Sequence, residues 1–148
     1  MMMQQHLPHR DRIDRPDRPA RPPRHDRGED EAIREFAIEA ARLCHDRHAE
    51  QIQLFDVRGL STLTDYILIA SGTSDRQIEA IARELDDLGK AAGFPCIARD
   101  GDGQVRWVVH DYLDVVVHLF EPETRAFYDL EMLWGDGEQV TWARPSQQ

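Results

Sequence analysis

Residues 71–77, SGTSDRQ, follow an apolar run and lead into a helical pattern. A helix start presents unpaired backbone N–H groups and the positive end of the macrodipole, so such a turn can hold a phosphate. This one has a single glycine, Gly72, no lysine, and neither the GxxxxGK(S/T) nor the GxGxxG spacing of nucleotide-binding loops. Asp75 also puts a carboxylate into the first helical turn, which stabilises a helix and repels phosphate. The residue types favour a structural corner over a cradle.

Metal-assisted nucleotidyl transfer needs two carboxylates on one face of a rigid element to clamp ions about 3.5 to 4 Å apart. In Asp114-Val115-Val116 the second carboxylate position is a valine, which removes the clamp from the strand best able to hold it. Asp100 and Asp102 have the spacing, but they lie in a glycine-flanked DGDG turn where solvated acids are the ordinary reading. Cys44-His45 with His48 offers two imidazoles one helical turn apart, yet no second ligand pair completes a zinc site. His118 alternates with Val116 and Phe120, as a hydrogen-bonded core histidine would. No Ser/His/Asp or Cys/His arrangement follows from the spacing.

A surface constellation remains. Trp107, Asp111, Tyr112 and Asp114 gather around one expected hairpin, and aromatic anchors ringed by charge of one sign suit a protein interface. The alternative is that Trp107 is core and DYLD a plain turn.

The elements that must position these groups can be read from periodicity. Ile33, Phe36, Ala37, Ala40, Leu43 and Cys44 form one helical stripe, through about residue 46. Ile52, Leu54, Phe55 and Val57 suggest a strand. Residues 66–70, YILIA, are apolar at successive positions, which predicts a central strand covered on both faces. Ser74 with Gln77 fits a capping box opening a helix striped by Ile78, Ile81, Leu85 and Leu88 and ending at Gly93. With a further strand near 96–99 this predicts a right-handed crossover unit. Residues 105–110 and 115–120 read as a hairpin, and a short helix is expected over 129–134. The fold class is α/β, a mixed sheet of about five strands flanked by helices.

Composition bounds the rest. A chain of 148 residues, 41% apolar and 31% charged, holds one domain. Its first 29 residues are rich in Arg, Asp and Pro and poor in aliphatics, so they are expected to be a disordered extension. Arg12, Arg15, Arg18, Arg21, Arg24 and Arg27 recur there every third residue. The domain spans 30–136, and 137–148 is expected to fray. The extension carries seven Arg against five acids, whereas residues 30–148 carry eleven Lys or Arg against 23 acids, net −12. Such a domain is a poor grip for nucleic acid, so little direct contact with it is expected, and a basic protein surface is the natural partner. There is no apolar run of the roughly 18 residues that cross a bilayer and no secretory leader, which points to the cytoplasm and to no membrane partner. The two cysteines have no CxxC spacing and read as ordinary reduced residues.

Three ordered blocks, DVRGLSTLTDYILIASGTSDRQ, WVVHDYLDVVVHLF and PETRAFYDLEMLWGD, closely resemble the ribosomal silencing factor (Iojap) family over residues 31–136. The resemblance implies a nonenzymatic translational repressor without cofactor or metal. It implies binding to the large ribosomal subunit at its fourteenth protein, which blocks joining with the small subunit when nutrients are scarce. It also implies a nucleotidyltransferase-like fold lacking the catalytic carboxylates, in keeping with Val116. By likeness Trp107, Asp111, Tyr112 and Asp114 are the expected contact residues. The alternatives kept are a large-subunit assembly factor and a metal-dependent nucleotidyltransferase relative. A homodimer through an apolar sheet edge is left open. The chain departs from the family pattern at Leu113, where glycine is common; a leucine there costs about 1 kcal/mol if φ is positive. It departs also at residues 46–49, where DRHA stands for a more basic DKKA, and at Glu121, where histidine is usual.

Overall fold

The computed structural model describes residues 18–20, 27–101 and 106–145. Strand β2 (Tyr66–Ser71) is buried at all six positions, as a strand apolar on both sides must be. It pairs in parallel with β5 (Val115–Phe120), which is equally buried. On its other side lies β1 (Glu50–Asp56), antiparallel. The expected hairpin forms from β4 (Trp107–Asp111) and β5. Beyond β4 comes the short β3 (Ala98–Asp100), and beyond β1 the two-residue β6 (Glu138–Gln139). The sheet therefore has six strands, in the order β3-β4-β5-β2-β1-β6. The sixth escapes periodicity because both residues of β6 are exposed and carry no apolar pattern.

Helices α1 (Arg27–Asp46) and α2 (Asp75–Ala92) cover one face of the sheet. Their stripes, including Ile33, Phe36 and Ala40 on α1 and Ile78, Ile81 and Leu85 on α2, pack with Leu54, Leu68, Val117 and Leu119 in one core. The other face buries Phe55, Ile67, Ile69, Trp107, Val116 and Phe120 under the short helices α3 (Pro122–Tyr128) and α4 (Leu130–Trp134). One helix was expected over 129–134; there are two, separated by Asp129 at φ 48° and opened by Pro122, whose ring suits a first helical position. The crossover from β2 through α2 does reach a third strand. That strand is not the neighbour of β2 but the far edge, with β5 and β4 between them.

Two chain ends depart from expectation. Of the extension, residues 1–17 and 21–26 lie outside the described residues, α1 already begins at Arg27, and Arg18 is docked against the β4–β5 turn. Of the tail expected to fray, residues 146–148 lie outside the described residues and 137–145 pack against the domain. Val140 is buried and its N–H donates to Leu54 O (2.8 Å), the Trp142 carbonyl accepts from Arg42 (2.7 Å), and Arg144 pairs with Asp46 (2.8 Å). Among the described residues, no helix is long and apolar enough to cross a membrane.

Candidate partner interface

The β4–β5 turn is built from Tyr112, Leu113 and Asp114. Tyr112 N–H donates to Val115 O and Asp114 N–H to Tyr112 O, both at 2.9 Å, so the reversal is tight. It forces Leu113 to φ 75°, the left-handed region where a Cβ is strained. The Asp111 carboxylate braces that residue by accepting its N–H at 2.8 Å. The Asp114 carbonyl accepts from Asp65 and Tyr66 N–H (3.0 and 3.1 Å), which ties the turn to the start of β2. The acidic turn is thus a fixed object.

The four residues singled out from sequence do not form one exposed patch. Trp107 and Tyr112 are buried, and on opposite faces of the sheet. Trp107 lies 4.4 Å from the Phe120 ring and 4.7 Å from that of Tyr128, and its Nε1–H donates to His118 Nδ1 at 3.0 Å. This makes Trp107 core and gives His118 the hydrogen-bonded interior role expected of it. Tyr112 packs edge-on against Phe36 at 5.3 Å, and its hydroxyl donates to Asp86 at 2.7 Å. A Cβ on Gly89 would come within 3.0 Å of the Tyr112 ring and 2.4 Å of Phe94 O, so only glycine lets α2 approach this closely. Asp114 is half-buried. Asp111 is buried with a partner sequence reading did not supply, since Arg18 Nε and Nη2 donate to its two oxygens at 2.7 and 3.1 Å. The every-third-residue arginines were visible in the sequence, but nothing there says which of them docks.

Under the turn, Asp86, Cys96 and His110 bring one potential ligand atom each within 4.8 Å of one another. Sequence reading missed this group because its members come from α2, a loop and β4. Asp86 accepts from Tyr112, from His110 Nδ1 (2.8 Å) and from Arg99 Nε (2.6 Å). Burial would raise its pKa, but those three hydrogen bonds together outweigh it and hold the carboxyl below its usual range. Burial lowers His110 more than Asp86 raises it, so the contact is a neutral imidazole donating rather than an ion pair. Cys96 is pushed up to about 11, first by burial and then by Asp86. In this arrangement Asp86, paired with Arg99 and His110, is a hydrogen-bonded strut for Tyr112.

The remaining chemical candidates resolve locally. In the 71–77 turn, Ser74 Oγ accepts Gln77 N–H (3.1 Å), while Gln77 Oε1 accepts from Thr73 N–H (2.7 Å) rather than from that of Ser74. Ser71 Oγ accepts from buried Arg125, which also pairs with Glu131 (2.9 Å). The helix start is therefore closed by side chains of its own chain. Cys44 is buried and pushed up to about 12 by desolvation, and His45 lies against Trp142 at 5.5 Å, so the CHDRH group is part of the tail's packing. Asp100 ends β3, and Asp102 lies outside the described residues.

The chain is similar to known proteins. A family described as "Ribosomal silencing factor during starvation" matches residues 30–148. The chain is 45% identical over 97 residues to ribosomal silencing factor RsfS of Bacillus subtilis, covering 66% of this chain and 82% of that one. It is 34% identical over 95 residues to the mouse mitochondrial assembly of ribosomal large subunit protein 1, covering 62% of this chain and 42% of that longer one. A crystal structure of a Chromobacterium violaceum protein superposes with a TM-score of 0.64 at 34% identity, covering 78% of this chain and 92% of that one.

Proposed function

The chain belongs to the ribosomal silencing factor family, and from that premise we propose that it is a nonenzymatic translational repressor acting in the cytoplasm under nutrient limitation. It binds the large ribosomal subunit at its fourteenth protein and sterically prevents the small subunit from joining. The observation that carries this reading is the acidic β4–β5 turn, held rigid by backbone hydrogen bonds and already able to engage a guanidinium. A domain of net −12 is drawn toward a basic ribosomal protein and away from bare ribosomal RNA. Asp111 and Asp114 supply the charge; Trp107 and Tyr112 contribute from beneath, by fixing the hairpin that displays it. The closed 71–77 turn and Val116 speak against a nucleotidyl-transfer role.

Purified protein is expected to cosediment with isolated large subunits and to reduce their reassociation with small subunits, with Asp114→Ala weakening both. Unchanged reassociation at saturating protein would overturn the reading. A second reading, an assembly factor, is favoured by the name of the mouse relative. Copurification with immature rather than mature large subunits would select it.

A further inference from the structure

Arg18 reaches across more than ninety residues to the β4–β5 turn, where its guanidinium makes three hydrogen bonds, and it makes a fourth to the Leu63 carbonyl. Nε donates to Asp111 Oδ2 at 2.7 Å, Nη2 to Asp111 Oδ1 at 3.1 Å and to Leu113 O at 2.8 Å, and Nη1 to Leu63 O at 2.7 Å. The side chains of Arg18 and Asp111 are each only 4% exposed. The receiving surface consists of acceptors alone: one carboxylate and two backbone carbonyls.

That set suits one cation in particular. A planar guanidinium presents five donors in a fixed fork and can meet a carboxylate side-on while its remaining N–H groups reach other acceptors. A lysine ammonium, with three donors at a single point, cannot span the same three groups. The socket is also made by the turn itself. Leu113, in its left-handed conformation, offers its carbonyl to the guanidinium, while its N–H is held by the same Asp111 carboxylate that binds Arg18. A buried carboxylate left without such a partner would be costly, so the site favours being filled.

We propose that Asp111 and the carbonyls of Leu63 and Leu113 form an arginine-specific socket, that Arg18 fills it in the free protein, and that an arginine of the basic ribosomal partner displaces Arg18 on binding. This rests on the ribosomal reading above and deepens it: the N-terminal arm is a competitor tethered in cis. The partner must outcompete a ligand whose tether gives it a high effective concentration. Binding is thereby restricted to surfaces that present an arginine at this point together with further contacts.

The test uses the full chain, Arg18→Ala and Arg18→Lys variants, and a fluorescein-labelled peptide of residues 12–24 followed by polarisation. The peptide is expected to bind Arg18→Ala at least about tenfold more tightly than the unaltered chain, whose socket is filled in cis. Arg18→Lys should behave like Arg18→Ala, and a peptide in which all five arginines are replaced by lysine should not bind either variant. That last control does not depend on altering Asp111, whose removal could unfold the turn. Equal peptide binding by all forms, or binding by the lysine-substituted peptide, overturns the socket. In cosedimentation, Arg18→Ala should bind large subunits several-fold more tightly, and added peptide should reverse the gain. Affinity unchanged by Arg18→Ala overturns the competition. If no form binds subunits while the peptide results hold, the ribosomal reading fails and the arginine socket stands.

Discussion

The two turns at opposite ends of the parallel pair β2 and β5 have opposite designs. At the C-terminal ends of these strands, where open α/β sheets usually hold their ligands, residues 71–77 are closed by Ser74, Gln77 and Arg125 from the chain itself. At the other end, residues 111–114 are strained at Leu113 and satisfied in part by an arginine from a remote arm. The end that resembles a ligand site is finished by residues near it, whereas the end that looks like a plain hairpin takes a guanidinium from a distant part of the chain. A strand, turn and capped helix of the shape associated with nucleotide handling therefore need not be a ligand site.

The largest effect should come from breaking the closed end. In Gly72→Ala the new Cβ would lie 2.4 Å from Cγ1 of buried Ile78, so overpacking should cost about 1–3 kcal/mol. Thermal unfolding should show a lower Tm while affinity for large subunits per folded molecule is retained; an unshifted Tm would contradict the close packing. Next, Tyr112→Phe removes the hydroxyl that donates to Asp86 and should cost about 1–2 kcal/mol in urea unfolding. A neutral outcome would mean that the strut beneath the hairpin is dispensable.

At the strained end the sign reverses. Leu113→Gly relieves a left-handed leucine and should gain up to about 1 kcal/mol, less the extra entropy glycine has when unfolded. A loss instead would show that the leucine side chain contributes more by packing than its backbone costs.

The smallest effect near neutrality concerns pH. The folded protein holds His110 below its ordinary value of 6.5, so the unfolded chain binds that proton first as pH falls. The stabilisation is complete above about pH 6.5 and declines below it, at no more than about 1.4 kcal/mol per pH unit from this group. Asp86, also depressed, adds a loss of the same sign at more acidic pH, below its ordinary 3.8. Replacing His110 with Gln should flatten the upper part of a stability-versus-pH curve; an unchanged curve would place the titration elsewhere.

Much of the scaffold was legible because burial on both sides leaves an unmistakable record. YILIA reads as a central strand and VVVHLF as one arm of a hairpin, and the Ser74 start and Gly93 stop of α2 follow local capping chemistry. What could not be read depended on which face a residue meets. Trp107 and Tyr112 look like anchors until the sheet is seen to be covered on both sides, which turns one into core and the other into a brace. Arg18 sits among arginines of identical spacing, and only the folded turn distinguishes it.

The two exposed residues of β6, with Val140 after them, shield the outer edge of β1: β6 pairs at Phe55 and Asp56, and Val140 N–H donates to Leu54 O. A shortened version of this protein ending at residue 136 would leave that row of peptide groups open as a template for other chains, and expression yield and colloidal behaviour would suffer first.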